Sequence, residues 1–161
     1  MIRISKVLCV AAIAFYCLLV VFGNITDYYV NFSAVENTLA MKEIYANSSI
    51  GYRALTNHFV HHVFFLIIII CEALVAILCT IGAWRLFTVR GASAQIFNQT
   101  KNWAIAGLTC GFLTWQVLFM SIGGEWFGVW MSSSLHGAIT QSFQIFMTIL
   151  AVLIYLIIKD E

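Results

Sequence analysis

The stretch that most constrains this chain is residues 63–84, VFFLIIIICEALVAILCTIGAW, an apolar run with a single acid, Glu72, near its middle. At ~1.5 Å of rise per residue it matches the ~30 Å hydrocarbon core of a bilayer. Backbone amides in lipid must be satisfied within their own segment, so such a run crosses as a helix. The helix is expected to start at His58, with Asn57 as its N-cap, and to end near Trp84 and Arg85.

Composition extends the argument to the whole chain. It is 62% hydrophobic and 9% charged, where soluble domains carry roughly 25% charged residues. Most side chains therefore meet lipid or one another. The formal net charge is +1 and no basic tract occurs, which excludes nucleic acid as a partner. Proline is absent; unbroken helices follow, unlike the interrupted helices common in secondary transporters. Cys9, Cys17, Cys71, Cys79 and Cys110 all lie in apolar runs with no C-x-x-C spacing. They read as small buried hydrophobes, and a disulfide framework would need them in outer loops.

Three more apolar segments complete the pattern: one domain of four helices, at about 7–23, 58–84, 103–122 and 139–158. The first follows Arg3 and Lys6 and also fits a signal peptide; its length and the lack of a small-x-small site favour a retained span. In the first loop, Ser33 and Glu36 have capping-box spacing, which predicts a short helix over 34–46. Gly123-Gly124 predicts the stop of the third span. Gly107 and Gly111 allow close helix approach. The fold class is all-α, a four-helix transmembrane bundle running up-down-up-down, with a short helix in the first outer loop.

Orientation follows from cation placement. Arg3, Lys6, Arg85, Arg90, Lys101 and Lys159 fall on one side. Only Lys42 and Arg53 fall on the other, beside Asp27, Glu36, Glu43 and Glu125. The positive-inside rule puts both termini in the cytoplasm.

Few residues invite chemistry. An acid inside a bilayer costs roughly 2.5–3.5 kcal/mol on insertion scales, so Glu72 should face the bundle interior and have a partner. Tyr16, Thr114 and Thr148 fall at comparable depth. Either Glu72 serves a proton-accepting or ligand-binding site, or it is a neutral carboxylic acid bridging helices, or it meets a base on another subunit. His58, His61, His62 and His136 all fall at the outer end. His58 and His62 share a helix face, and so do His61 and Glu72. Imidazoles from two helices could hold a metal, with His58, His62 and His136 as candidate ligands, or a haem iron. The alternatives are histidines bonded to backbone at a wet helix end, or a pH-responsive cluster. Glu125 and Trp126, in the second outer loop, could close an outward-facing pocket over them or simply anchor an interfacial turn. No catalytic motif appears, which leans away from an enzyme.

Asn24-x-Thr26-Asp27-Tyr28, Arg53-Ala54 followed by His61-His62, Glu72-Ala73-Leu74 and Gly123-Gly124-Glu125-Trp126 together resemble a bacterial family of predicted small integral membrane proteins, domain of unknown function 2165. The resemblance covers nearly the whole chain. It implies four spans in a bacterial inner membrane with outer loops in the periplasm. It implies no activity and supplies no site residues. The functional expectations are, in order, an accessory or interaction subunit of a membrane complex, with a membrane protein partner or a homo-oligomer; a periplasm-facing binder of a ligand, metal or haem; and a small transporter or proton-conducting protein.

Overall fold

The structure is a computed structural model describing residues 1–161. Its helices are α1 (Ile2–Thr26), α2 (Tyr28–Leu39), α3 (His58–Thr88), α4 (Ala94–Thr100), α5 (Asn102–Leu113) and α6 (His136–Ile157). A π-helical segment, Thr114–Trp126, continues α5 without a loop. Four helical stretches are long and apolar enough to cross a membrane: Ile2–Thr26, His58–Thr88, Ala94–Trp126 and His136–Ile157. Each runs past at least one of the ends that hydropathy marks. Hydropathy detects only the lipid-facing part of a rod, whereas its hydrogen-bond ladder continues into the interface.

Helix α3 packs against α1 on one side and α5 on the other, and α6 closes the ring against α5, the π segment and α1. Consecutive spans are neighbours, giving the up-down-up-down arrangement. One core joins Val10, Ala14 and Cys17 of α1, Val75, Cys79 and Leu86 of α3, Ala104 and Leu108 of α5, and Ile149 and Leu156 of α6. Small residues let the backbones touch. A Cβ added to Gly82 would lie 2.6 Å from the Ala104 main chain. One added to Gly107 would lie 2.8 Å from the Cys79 amide nitrogen. All five cysteines are free.

At one end lie both ends of the chain and the turn between α3 and α4. Arg3 donates to the Ala92 carbonyl at 2.6 Å. Lys6 and Lys101 both donate to Asp160 Oδ2, at 2.8 and 2.7 Å, and all three side chains are almost fully buried. At the other end residues 28–57 form a cap. Its small core is Leu39, Met41 and Phe127, with Ile44, Ile50 and Phe64 against it. Glu43 ties the cap to the chain before α6: Ser132 Oγ and Ser134 Oγ each donate to its carboxylate at 2.6 Å. The Ser132 bond first, then those from Ser134, hold the Glu43 carboxyl below its usual range.

Two local expectations are corrected. The cap helix spans Tyr28–Leu39 rather than 34–46. Asp27 is the single non-helical residue after α1, so α2 starts at once and nearly continues it. Ser33 is therefore already inside a helix, where its hydroxyl donates to the Val30 carbonyl at 2.7 Å instead of capping. Packing of Tyr28 and Phe32 on α3 overrides the capping signal. Gly123-Gly124, in turn, does not stop the third span. The π ladder passes through both glycines, and the left-handed residue that ends it is Gly128, at φ +68°. At the end of α2 the same conformation falls to a non-glycine, Met41 at φ +51°. Lys42 N–H bonds Asn37 O and Met41 N–H bonds Thr38 O, the bond pair of a Schellman stop.

Candidate functional site

Glu72 is 2% exposed and faces the bundle interior. Its partner is Asn24, whose side-chain amide donates to Oε2 at 2.7 Å. Of the expected partners, Tyr16 lines the same chamber, whereas the Thr114 and Thr148 hydroxyls donate to carbonyls of their own helices. Asn24 lies three residues, roughly 4.5 Å of rise, before the α1–α2 junction at the exposed Asp27. Glu72 is midway along α3, yet its depth is that of the outer end of α1, because α3 overshoots α1 and its head pairs with α2.

Around this pair is a chamber of about 370 Å³ between α1, α2, α3, the π segment and α6. Its polar wall carries Tyr16, Asn24, Asn31, Glu72, Gln141 and Ser142. Beside it is a second hollow, of about 270 Å³, with almost entirely apolar walls. The two share Ala34, Val35, Ile68, Phe119 and Ala138. Helix α2 contributes Ala34 and Val35 to both and forms the roof. The π segment supplies Trp115 and Phe119, whose rings stack with centroids 6.4 Å apart. π-helical turns are rare and frequently fall at functional sites; this segment borders both hollows.

Three of the four histidines converge on the head of α3. The His58 and His62 Nε2 atoms are 3.2 Å apart. His62 Nδ1 is 2.8 Å from the Tyr28 hydroxyl, and Phe32 stacks on the His62 ring at 4.1 Å. His61 is 2% exposed, and its Nε2 lies 2.7 Å from the Leu55 carbonyl. Glu36, from α2, joins this group: one of its carboxylate oxygens and one ring nitrogen each from His58 and His61 lie within 4.8 Å of one another. Of the expected candidates His58, His62 and His136, the structure brings His58 and His62 together and leaves His136 apart. His136 is exposed at the head of α6 and lies outside the ring contacts of the other three. The clustered rings all project from α3, and Phe32 already covers a face of His62. That arrangement is unlike two imidazoles facing each other across a haem.

Glu125 and Trp126 are exposed and do not close over the imidazoles. Trp126 instead pairs with the cap: the Arg53 guanidinium lies 4.5 Å from its ring centroid and donates to its carbonyl at 3.2 Å. Sequence reasoning missed Asn24, Glu36 and the Lys6–Asp160–Lys101 group. Asp160, among the cations of its side, was the one available signal for the last.

Four apolar spans around a core of their own, with charges confined to the two ends and to one internally bonded acid, define a multi-pass integral membrane protein. A family model described as Predicted small integral membrane protein (DUF2165) matches residues 2–159, and the chain belongs to that family. No curated protein and no solved structure matches it.

Proposed function

We propose that the protein binds a small amphiphile inside the membrane. The observation that carries this is the pair of adjacent hollows under α2, which share five lining residues, polar beside Glu72 and apolar toward Phe64, Leu118 and Ile139. Ligand pockets combine a mostly apolar lining with a few placed polar groups, at ~300–1,000 Å³. A hydrogen-bonding head would take Glu72 and Asn24, and the apolar part would fill the second hollow. By the positive-inside count the roof faces the periplasm of a bacterial inner membrane and both termini face the cytoplasm.

The test is organic extraction of protein purified in mild detergent, with mass spectrometry of the lipids and isoprenoids carried through from the producing membranes. Wild-type protein should retain one amphiphile near stoichiometry. Ala34→Phe, which fills the shared wall, should lose it, and Glu72→Gln should retain less. Bulk lipids alone, in equal proportion in wild type and Ala34→Phe, would refute the proposal.

The other readings have less support. An accessory role rests on small size and slight loops, and the Gly107–Gly111 face that could bind a partner helix is occupied by α3 and α6. Proton conduction would need polar groups leading from Glu72 toward Lys6. The core between them is Val10, Ala14, Cys17, Val75, Cys79 and Leu108.

A further inference from the structure

We infer that Glu36, His58 and His61 form a binding site for a divalent transition-metal ion of borderline softness, with zinc the best match. The inference is independent of the amphiphile proposal.

His61 carries the argument. A carbonyl oxygen only accepts, so His61 Nε2, 2.7 Å from Leu55 O, holds the proton and donates it. In the neutral ring the lone pair is then on Nδ1. That atom is buried and has no hydrogen-bond partner, the one such side-chain nitrogen or oxygen in the protein. An unsatisfied buried polar atom costs roughly 1–3 kcal/mol. Metal-bound histidines commonly show the same bonding: one nitrogen ligates while the other donates to a backbone carbonyl, which fixes tautomer and ring angle.

The neighbours supply what a buried lone pair alone would lack. A Glu36 oxygen, a His58 ring nitrogen and a His61 ring nitrogen lie within 4.8 Å of one another, and Nδ1 is the His61 nitrogen with a lone pair to offer. Zinc holds nitrogen at ~2.0–2.1 Å and carboxylate oxygen at ~2.0–2.2 Å. Ligands on a tetrahedral ion are therefore roughly 3.4 Å apart, so the widest separation in the group must contract by up to about 1.4 Å. His61 is fixed by Leu55, whereas His58 is exposed and Glu36 half-buried; those two can turn inward. The only ion pair Glu36 would give up is the exposed one with Lys42, at 3.3 Å, and such pairs are worth little. Two imidazoles and one carboxylate suit zinc, with a fourth position left for water. The ion would join α2 to the head of α3 and so stiffen the cap.

The test uses the intact chain in detergent, made without a polyhistidine tag and washed with chelator. Zn²⁺ is titrated by calorimetry and Co²⁺ by visible absorption, where tetrahedral coordination gives intense ligand-field bands. The expected result is one saturable site, a thermal midpoint raised by Zn²⁺, and affinity lowered roughly tenfold or more in Glu36→Gln and in His58→Ala. Those two positions are not fully buried, so the test stands even if His61→Ala fails to fold. His136→Ala should bind as wild type does. No saturable binding, or equal binding in Glu36→Gln and His58→Ala, would overturn the site and mean an adventitious ion only.

Discussion

Replacing Gly82 with alanine should open the seam between α3 and α5. The new methyl carbon would lie 2.6 Å from both Cα and N of Ala104 and 2.7 Å from its Cβ. Ordinary contact begins near 3.4 Å, so the helices must part by roughly 0.8 Å. A gap of ~0.5–1 Å forfeits a quarter to a half of each dispersion contact across it, and overpacking generally costs ~1–3 kcal/mol. Here the obstructing atoms are mostly main chain and cannot rotate away, which puts Gly82→Ala near ~3 kcal/mol. Gly107→Ala meets Cys79 N at 2.8 Å and Sγ at 2.7 Å and should cost nearly as much. Gly111→Ala meets only side-chain carbons, of Val75 and Ile149, at 3.1 Å and should cost less. Gly23→Ala, on α1 with nothing within 4 Å, should be neutral or gain up to ~1 kcal/mol from helix propensity. Reversible unfolding by SDS in mixed micelles, followed by circular dichroism, ranks the four. If Gly82→Ala proves as stable as Gly23→Ala, the α3–α5 packing described above is wrong.

Two further outcomes follow from the ends of the bundle. Burial alone would push the Asp160 carboxyl up, but hydrogen bonds from Lys101 and Lys6 and their charges outweigh it and hold it below its ordinary value of 3.8. A depressed folded-state value means the stabilisation is complete at neutral pH and fades only as pH falls through that lower value. Unfolding measured against pH should show this acid loss in wild type and not in Asp160→Asn, which at neutral pH should already be destabilised by ~3 kcal/mol or more, with two buried lysines left without their acid. At the cap, Gly128→Ala must hold alanine at φ +68° with its Cβ 2.5 Å from Met131 Cε. The left-handed backbone costs ~1–2 kcal/mol and the methionine end can yield, so a loss of that size is expected in the same unfolding assay, with Gly128→Asn milder.

The sequence by itself determined the four spans, their alternation and the cap of α3. Asn57 does accept from the Phe59 and Val60 amides, at 2.9 and 3.4 Å. These features depend on hydropathy over one bilayer thickness and on bonds between residues two or three apart, so neighbours along the chain suffice to decide them. Glu72 could be assigned to the interior for a related reason: a polar group in an apolar rod has nowhere else to go. The tertiary structure alone decided what the polar groups meet. Pairing Glu72 with Asn24 and bringing Glu36 near His61 depend on the register of α1 and α2 against α3. Local signals place α2 several residues late, because Ser33 has the spacing of a cap while the aromatic contacts of Tyr28 and Phe32 fix where the helix begins. Register is illegible in such a chain because lipid and core are equally apolar. Ile70 and Leu74 face outward while Val75 and Cys79 are buried, and apart from Glu72 no change of polarity along the apolar run of α3 distinguishes one face from the other.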